Sequence, residues 1–209
     1  FALLNTKLTT LQESLEDIQA IKDFREFSAS VNDTADDYFS VTTEGSATAG
    51  VYSIETTALA KSEMWILNGF SDNDTDAKIN PGTISITWDD TAESGFSNIT
   101  QTISSTGETH TLSTLASKLN KENGITSYVM FDGTEYRLVV QGENTGEDYG
   151  FTVSYSNSST TSAGTNLTTS TNADATNVAA QDASLKLNGV DITSSTNVFS
   201  DAVVGMTIT

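Results

Sequence analysis

The side chains in this sequence that could do chemistry are few and far apart. Asp72, Asp74 and Asp76 alternate like the opening ligands of a calcium loop, and carboxylate oxygens are the hard donors that ion takes. The pattern then breaks. Ala77 stands where the sharp turn requires glycine and Thr83 where a bidentate glutamate should close the shell, so an acidic surface loop is expected instead. The one histidine, His110, lies between Thr109 and Thr111 just ahead of a predicted helix. Acyl transfer would need it buried and oriented by a carboxylate, and no such partner stands out. Glu143, Glu147 and Asp148 gather around Gly142 and Gly146, where carboxylates are expected to be solvated turn residues rather than a glycosidic pair. Trp65, Trp88, Tyr128 and Phe131 sit in strand-like runs whose alternation predicts core packing rather than a ligand platform. The sequence has no Gly-rich phosphate loop, and without Cys it has no thiolate nucleophile, thiolate metal site or disulfide. No catalytic residue, metal or cofactor is expected. Asn-x-Ser/Thr sequons at Asn32, Asn73, Asn98, Asn157 and Asn166 are what an Asn- and Thr-rich sequence yields by chance.

The elements that would position these groups fall into two regimes. Leu4, Leu8, Leu11, Leu15 and Ile18 follow a four-three-four-three spacing, the seam of a coiled coil, continued less regularly by Ile21, Phe24 and Phe27. No Gly or Pro interrupts residues 1–31, and Gln12, Glu13, Glu16, Lys22 and Arg25 lie off the seam. A helical leg over about residues 1–28 is predicted; the alternative is an ordinary amphipathic helix packed on a globular body. From about Tyr38 the period becomes two, predicting strands at 38–43, 51–57, 64–67, 83–88, 99–103, 125–131, 136–140 and 151–155. Between them Thr111 can cap a helix carrying Leu112, Leu115, Ala116 and Leu119, stopped at Asn123-Gly124. Residues 156–178 are nearly all Ser, Thr, Asn and Ala, which predicts a loop or linker, since such a tract buries too little to offset its ordering entropy. Two more strands, 183–187 and 204–208, are expected around the Asn188-Gly189 turn. The fold class is therefore mainly β with a long N-terminal α-helix and one further short helix.

Composition narrows the partners. With 28 Asp and Glu against 9 Lys and Arg, the 209 residues carry a formal charge of -19. That charge repels phosphate backbones and anionic headgroups, so neither nucleic acid nor a membrane surface is an expected partner. Like-charged copies also repel, so any self-association should grow with salt. The apolar share is 36%, and no run approaches a membrane span.

Read together, the segments 3–24 (LLNTKLTTLQESLEDIQAIKDF), 50–62 (GVYSIETTALAKS), 111–154 (from TLSTLASKLNKENGITSYVMF to GENTGEDYGFTVS) and 182–209 (DASLKLNGVDITSSTNVFSDAVVGMTIT) resemble the bacterial flagellar filament cap family, flagellar hook-associated protein type 2. The order of the segments matches as well, over nearly the whole sequence. Val204 stands before Gly205 where the family commonly has Pro, and residues 68–100 and 156–178 follow no family pattern.

The resemblance implies an exported structural protein, not an enzyme, that caps the distal end of the filament and helps flagellin subunits into place. The implied partners are copies of itself, in a ring built by head domains, and flagellin; the implied location is the extracellular flagellum tip. It implies an N-terminal-half fragment whose seam pairs in the family with a returning C-terminal leg helix. The expected domains are the leg (1–28), an incomplete proximal β-rich head domain (29–49 plus 180–209), and a distal β-rich domain (50–179) inserted in it, with its helix at 111–122. The alternatives are another flagellar axial protein, such as a flagellin or hook-filament junction protein, and an adhesive glycan-binding β module.

Overall fold

A computed structural model describes residues 1–18, 27–31, 39–71, 79–104, 110–158, 164, 166–168 and 177–209. In chain order the elements are α1 (Ala2–Ile18), β1 (Val41–Thr43), β2 (Ile54–Ala58), β3 (Met64–Phe70), β4 (Gly82–Trp88), α2 (Thr91–Ser94), β5 (Ile99–Ile103), α3 (Leu112–Leu119), β6 (Ile125–Phe131), β7 (Tyr136–Gly142), β8 (Phe151–Asn157), β9 (Ala183–Leu187), β10 (Val190–Ser194), β11 (Phe199–Val203) and β12 (Met206–Ile208). The strands form four three-stranded sheets, ordered β1-β12-β11, β10-β9-β2, β3-β7-β6 and β5-β4-β8. The protein is thus mainly β, with the helix at its N-terminus. The chain divides into two compact units, one of residues 1–55, 185–192 and 197–209 and the other of residues 56–184 and 193–196.

In the first unit β1 and β12 pair antiparallel, Val41 opposite Ile208 and Thr43 opposite Met206. Gly205, with φ at +73°, turns β11 back into β12, and a side chain there would collide with the backbone of Ala47. Asn188 (φ +50°) and Gly189 (φ +85°) form the two-residue turn between β9 and β10, both residues left-handed as a tight hairpin requires.

In the second unit β4 is the central strand of its sheet. Ile84, Ile86 and Trp88 are buried, and the intervening Ser85 and Thr87 are more exposed, the alternation a sheet with one covered face needs. α3 adds Leu112, Leu115, Ala116 and Leu119, spaced i, i+3, i+4 and i+7, to a core shared with Leu67, Leu138, Val140 and Phe151. Thr111 caps it: its hydroxyl accepts from Thr114 N–H while the Thr114 hydroxyl accepts from Thr111 N–H. At the other end the Asn120 carboxamide takes both backbone groups of Ser127 on β6, donating to its carbonyl at 2.7 Å and accepting from its N–H at 2.5 Å. A side chain thereby does what a neighbouring strand would do at that edge.

The unit is closed at its base. Residues 61–64 and 178–181 run antiparallel, bridged at Lys61 and Gln181 and at Met64 and Val178. Between the bridges Glu63, 7% exposed, accepts from Ala180 N–H with its carboxylate at 2.6 Å and from Gly142 N–H with its carbonyl at 2.8 Å. Burial raises the Glu63 pKa; the Ala180 N–H opposes that shift, and the Asp89 carboxylate adds to it.

Several sequence expectations need correction. The tract 156–178 is not wholly a linker: β8 continues to Asn157, and Leu167 is 2% exposed inside the core. Around it lies a web of neutral amides. Asn80 and Asn157 donate to the Asn166 side-chain oxygen at 2.7 and 2.8 Å, Asn68 donates to the Asn166 carbonyl at 3.1 Å, and Thr168 N–H donates to the Asn68 side chain at 2.8 Å. One apolar residue, flanked by hydrogen-bonded amides, is buried in a tract whose average composition argued against burial. The strand expected at 51–57 is β2 at 54–58, with Val51 98% exposed. The Asn188-Gly189 turn returns the chain at once into β10 rather than into a strand at 204–208; Val204 is exposed at the next turn and only Met206–Ile208 pair. β11, with Ser and Asp in its middle, has no apolar alternation to announce it. The strand expected from Tyr38 lies outside the described residues as far as that position.

Two outcomes follow. Leu167→Ala should cost about 2–5 kcal/mol in denaturant unfolding as a core deletion, whereas the same change at exposed Leu59 should stay within about 0.5 kcal/mol; equal effects would remove Leu167 from the core. Because its folded pKa is raised, Glu63 contributes stability below its unfolded pKa that is lost as pH rises through the folded value. The melting temperature of the parent should therefore gain on that of Glu63→Gln as pH falls from neutral, and a constant difference would show that Glu63 is not charged at the expense of burial.

Candidate interaction surfaces

Among the described residues, the groups singled out for chemistry do not assemble into a metal site. Asp72, Asp74 and Asp76 lie outside the described residues, and among the described residues no three His, Asp or Glu side chains gather as a metal site. His110 is buried, its Nε2 accepting from Ser104 N–H at 3.1 Å and its carbonyl from Ile79 N–H at 2.9 Å, so it ties the end of β5 to the approach of α3. Glu143, Glu147 and Asp148 are exposed around a 3₁₀ turn at Glu147–Tyr149. No helix among the described residues is long and apolar enough to cross a membrane.

Of the four strand aromatics, two pack as expected. Trp88 is buried edge-on to Phe151 and tilted against Phe96, with ring centroids at 5.1 and 4.8 Å, and half-buried Trp65 donates its indole N–H to the Phe151 carbonyl at 2.9 Å. Tyr128 and Phe131 do not; they are 40% and 54% exposed. β6 is an edge strand whose buried positions are Ile125 and Ser127, so Tyr128 has the outward parity, and Phe131 is the last residue of the strand, past the end of the core.

The first surface is on α1. Leu4, Leu8 and Leu11 are 60%, 54% and 57% exposed, and the seam spacing sets them on one stripe; the side chains of Leu15 and Ile18 lie outside the description. Over Ala2–Ile18 the helix has no acidic residue in its first turn and no basic residue in its last, so among the described residues no side chain at either end offsets its dipole. The hydroxyls of Thr6, Thr9 and Thr10 turn inward onto carbonyls four residues back, at 3.0 Å each. A 17-residue helix of this make-up is marginal alone and draws its stability from whatever covers the leucines.

The second surface is the tip of the β6–β7 hairpin. The Asp132 carboxylate accepts from Thr134 and Glu135 N–H, both at 2.8 Å, and from Arg137 Nε at 2.5 Å, while Arg137 also reaches Glu135 at 3.3 Å. Gly69 opposite leaves the space that the Glu135 carboxylate fills. Phe131 and Tyr136 stack at 4.7 Å beside this braced turn. An exposed aromatic held in one place loses little freedom on meeting a partner. The Asp-Gly turn was legible in sequence; the ion pair was not, since its only signal is an arginine within the apolar run of β7. The Glu135 N–H, then the Arg137 guanidinium and the Thr134 N–H, hold Asp132 down to about 2 from 3.8. A lowered folded pKa gives stability that is full above the unfolded value and lost as pH falls through the folded one. The melting-temperature gap between the parent and Asp132→Ala should therefore be full at about pH 5 and close towards pH 2; a gap independent of pH would mean that the ionised carboxylate does not hold the turn.

Known proteins carry the same frame. The family profile described as "Flagellar hook-associated protein 2 N-terminus" matches residues 1–63. Flagellar hook-associated protein 2 of Escherichia coli K12 is 30% identical over 205 residues, covering 96% of this chain and 42% of that protein. The chain thus spans less than half the length of the curated relative it matches. The crystal structure of the flagellar cap protein FliD D2-D3 domains from Escherichia coli aligns with a TM-score of 0.60 at 28% identity, covering 81% of this chain and 86% of that one. FliD (HAP2) from Pseudomonas aeruginosa PAO1, at 24% identity and a TM-score of 0.65, covers 81% and 76% and adds likeness of fold. The same relatives are reached through sequence along the chain and through the shape of its β domains, and on both counts the chain is similar to flagellar hook-associated protein 2, whose solved structures are of flagellar cap proteins.

Proposed function

We propose that this chain is part of a structural protein that caps the distal end of the bacterial flagellar filament and assists the incorporation of exported flagellin. The match over 96% of the chain to a flagellar hook-associated protein 2 carries this reading. The location that follows is extracellular, at the filament tip, after passage through the flagellar export apparatus. Copies of the protein would associate in a ring through their β-rich domains, with flagellin as the second partner. The chemistry fits a structural role: no Cys to cross-link in transit, one Pro to isomerise on refolding, and a net charge of -19 that favours solubility.

Within that function we read residues 1–28 as a leg, residues 29–49 with 180–209 as a proximal domain, and residues 50–179 as a distal domain inserted in it. Leu4, Leu8, Leu11, Leu15 and Ile18 are the seam by which the leg pairs with another helix. The uncovered stripe of Leu4, Leu8 and Leu11 supports that role.

In a flagellated host, loss of the full-length protein should leave cells without filaments while flagellin collects in the medium, and the intact gene should restore filaments. Normal filaments in its absence would overturn the proposal. Burying one leucine is worth about 1.5–3 kcal/mol, roughly ten- to hundredfold in association. Sedimentation should accordingly show self-association through the leg that grows with salt and that Leu8→Lys or Leu15→Lys weakens by that factor. Tight association untouched by both variants would move the contact to the β domains.

A further inference from the structure

Asn-Gly occurs three times, at Asn68-Gly69, Asn123-Gly124 and Asn188-Gly189. Glycine offers no side chain to hinder its own backbone nitrogen, so each pair is chemically able to close a succinimide. The structure treats the three differently. In β3 the Asn68 carboxamide is held at both ends, donating to the Asn166 carbonyl at 3.1 Å and accepting from Thr168 N–H at 2.8 Å. The Asn188 carboxamide accepts from Ser53 N–H at 2.9 Å, its own N–H donates to the Ser53 carbonyl at 2.8 Å, and its backbone is fixed at φ +50° in a tight hairpin turn. Asn123 is exposed in the turn that follows α3, and among the described residues its carboxamide has no hydrogen-bond partner and Gly124 N–H donates to no group.

We infer that Asn123 is a site of spontaneous deamidation in the native protein, with Asn68 and Asn188 protected by their hydrogen bonds. The Gly124 nitrogen attacks Cγ of Asn123 and forms the new C–N bond. The bond from Cγ to the side-chain nitrogen breaks, and ammonia leaves with the proton that Gly124 gives up. Water then opens the imide. Hydrolysis at the Cγ–N bond leaves aspartate; hydrolysis at the original peptide bond leaves isoaspartate, with the backbone rerouted through the side chain. Nothing is oxidised or reduced, and the only co-reactant is solvent water.

The products are badly placed. Either carries a new negative charge beside Glu122 and just past the C-terminus of α3, where the helix dipole is itself negative. Isoaspartate also adds a backbone carbon to a turn tied at both ends. The Asn120 carboxamide clasps Ser127, the Gly124 carbonyl accepts from Glu143 N–H at 3.0 Å, and a Cβ on Gly124 would stand 2.8 Å from the Phe96 ring.

Native protein held at mildly alkaline pH and digested in acid should show the mass change of amide-to-acid conversion, and isoaspartate, in the peptide bearing Asn123 before either is detected at Asn68 or Asn188. In urea, where the hydrogen bonds are gone, all three should convert. Asn123→Gln, an exposed change that leaves the fold intact, should abolish the early acidic species and keep the parental melting temperature. An Asn123 that stays an amide in native protein while the urea control converts, conversion at Asn68 or Asn188 at the same native rate, or the same early species in Asn123→Gln would each overturn the inference.

Discussion

The pairing of residues 61–64 with residues 178–181 joins positions more than a hundred residues apart and closes a long loop within the second unit. Loop-closure entropy rises only slowly with length, so a large insertion is tolerated once both its ends are pinned. The pin is backbone hydrogen bonding at Lys61, Met64, Val178 and Gln181, with the Glu63 carboxylate reaching across to Ala180 between the bridges. Within it the β6–β7 hairpin, α3 laid on that hairpin and the β4–β5 pair are local, while β8 returns to β4 and β7 to β3 from far along the chain. The cost of the arrangement is a buried carboxylate at the place where the chain leaves and returns.

How much of this was legible depends on whether burial left a periodic mark. β4, β6 and α3 were plain because Ile84, Ile86 and Trp88 recur at two and Leu112, Leu115 and Leu119 at three and four, the same periods that set which side faces the core. Leu167 was hidden because one leucine among threonines has no period, and the asparagines that hold it are spread from Asn68 to Asn166. β11 was hidden because pairing with β12 fixes its backbone whatever its side chains are. Of the candidate surfaces, the leucine stripe of α1 could be read from spacing alone. The braced hairpin tip could not, because Asp132 and Arg137 meet only when the turn brings their strands together.

The two surfaces differ physically in a way that bears on assembly. The helix stripe is apolar on an element with little stability of its own, so any partner would order the helix and cover it in one step, and the two energies are hard to separate. The hairpin tip is rigid before any encounter and carries its charge already paired. Contacts built on the first depend on what the helix gains by folding, and those built on the second depend on shape.

The amide web around Asn166 has a further consequence. Neither partner of an amide-to-amide hydrogen bond gains or loses a proton across the range in which water is tolerable, and neither carries a net charge for dissolved ions to screen. A strongly acidic molecule stiffened by ion pairs would loosen or tighten as its surroundings changed from fresh water to brine. Here the amide bonds beside buried Leu167 are indifferent to both acid and salt, the same in a dilute stream as in a salt marsh.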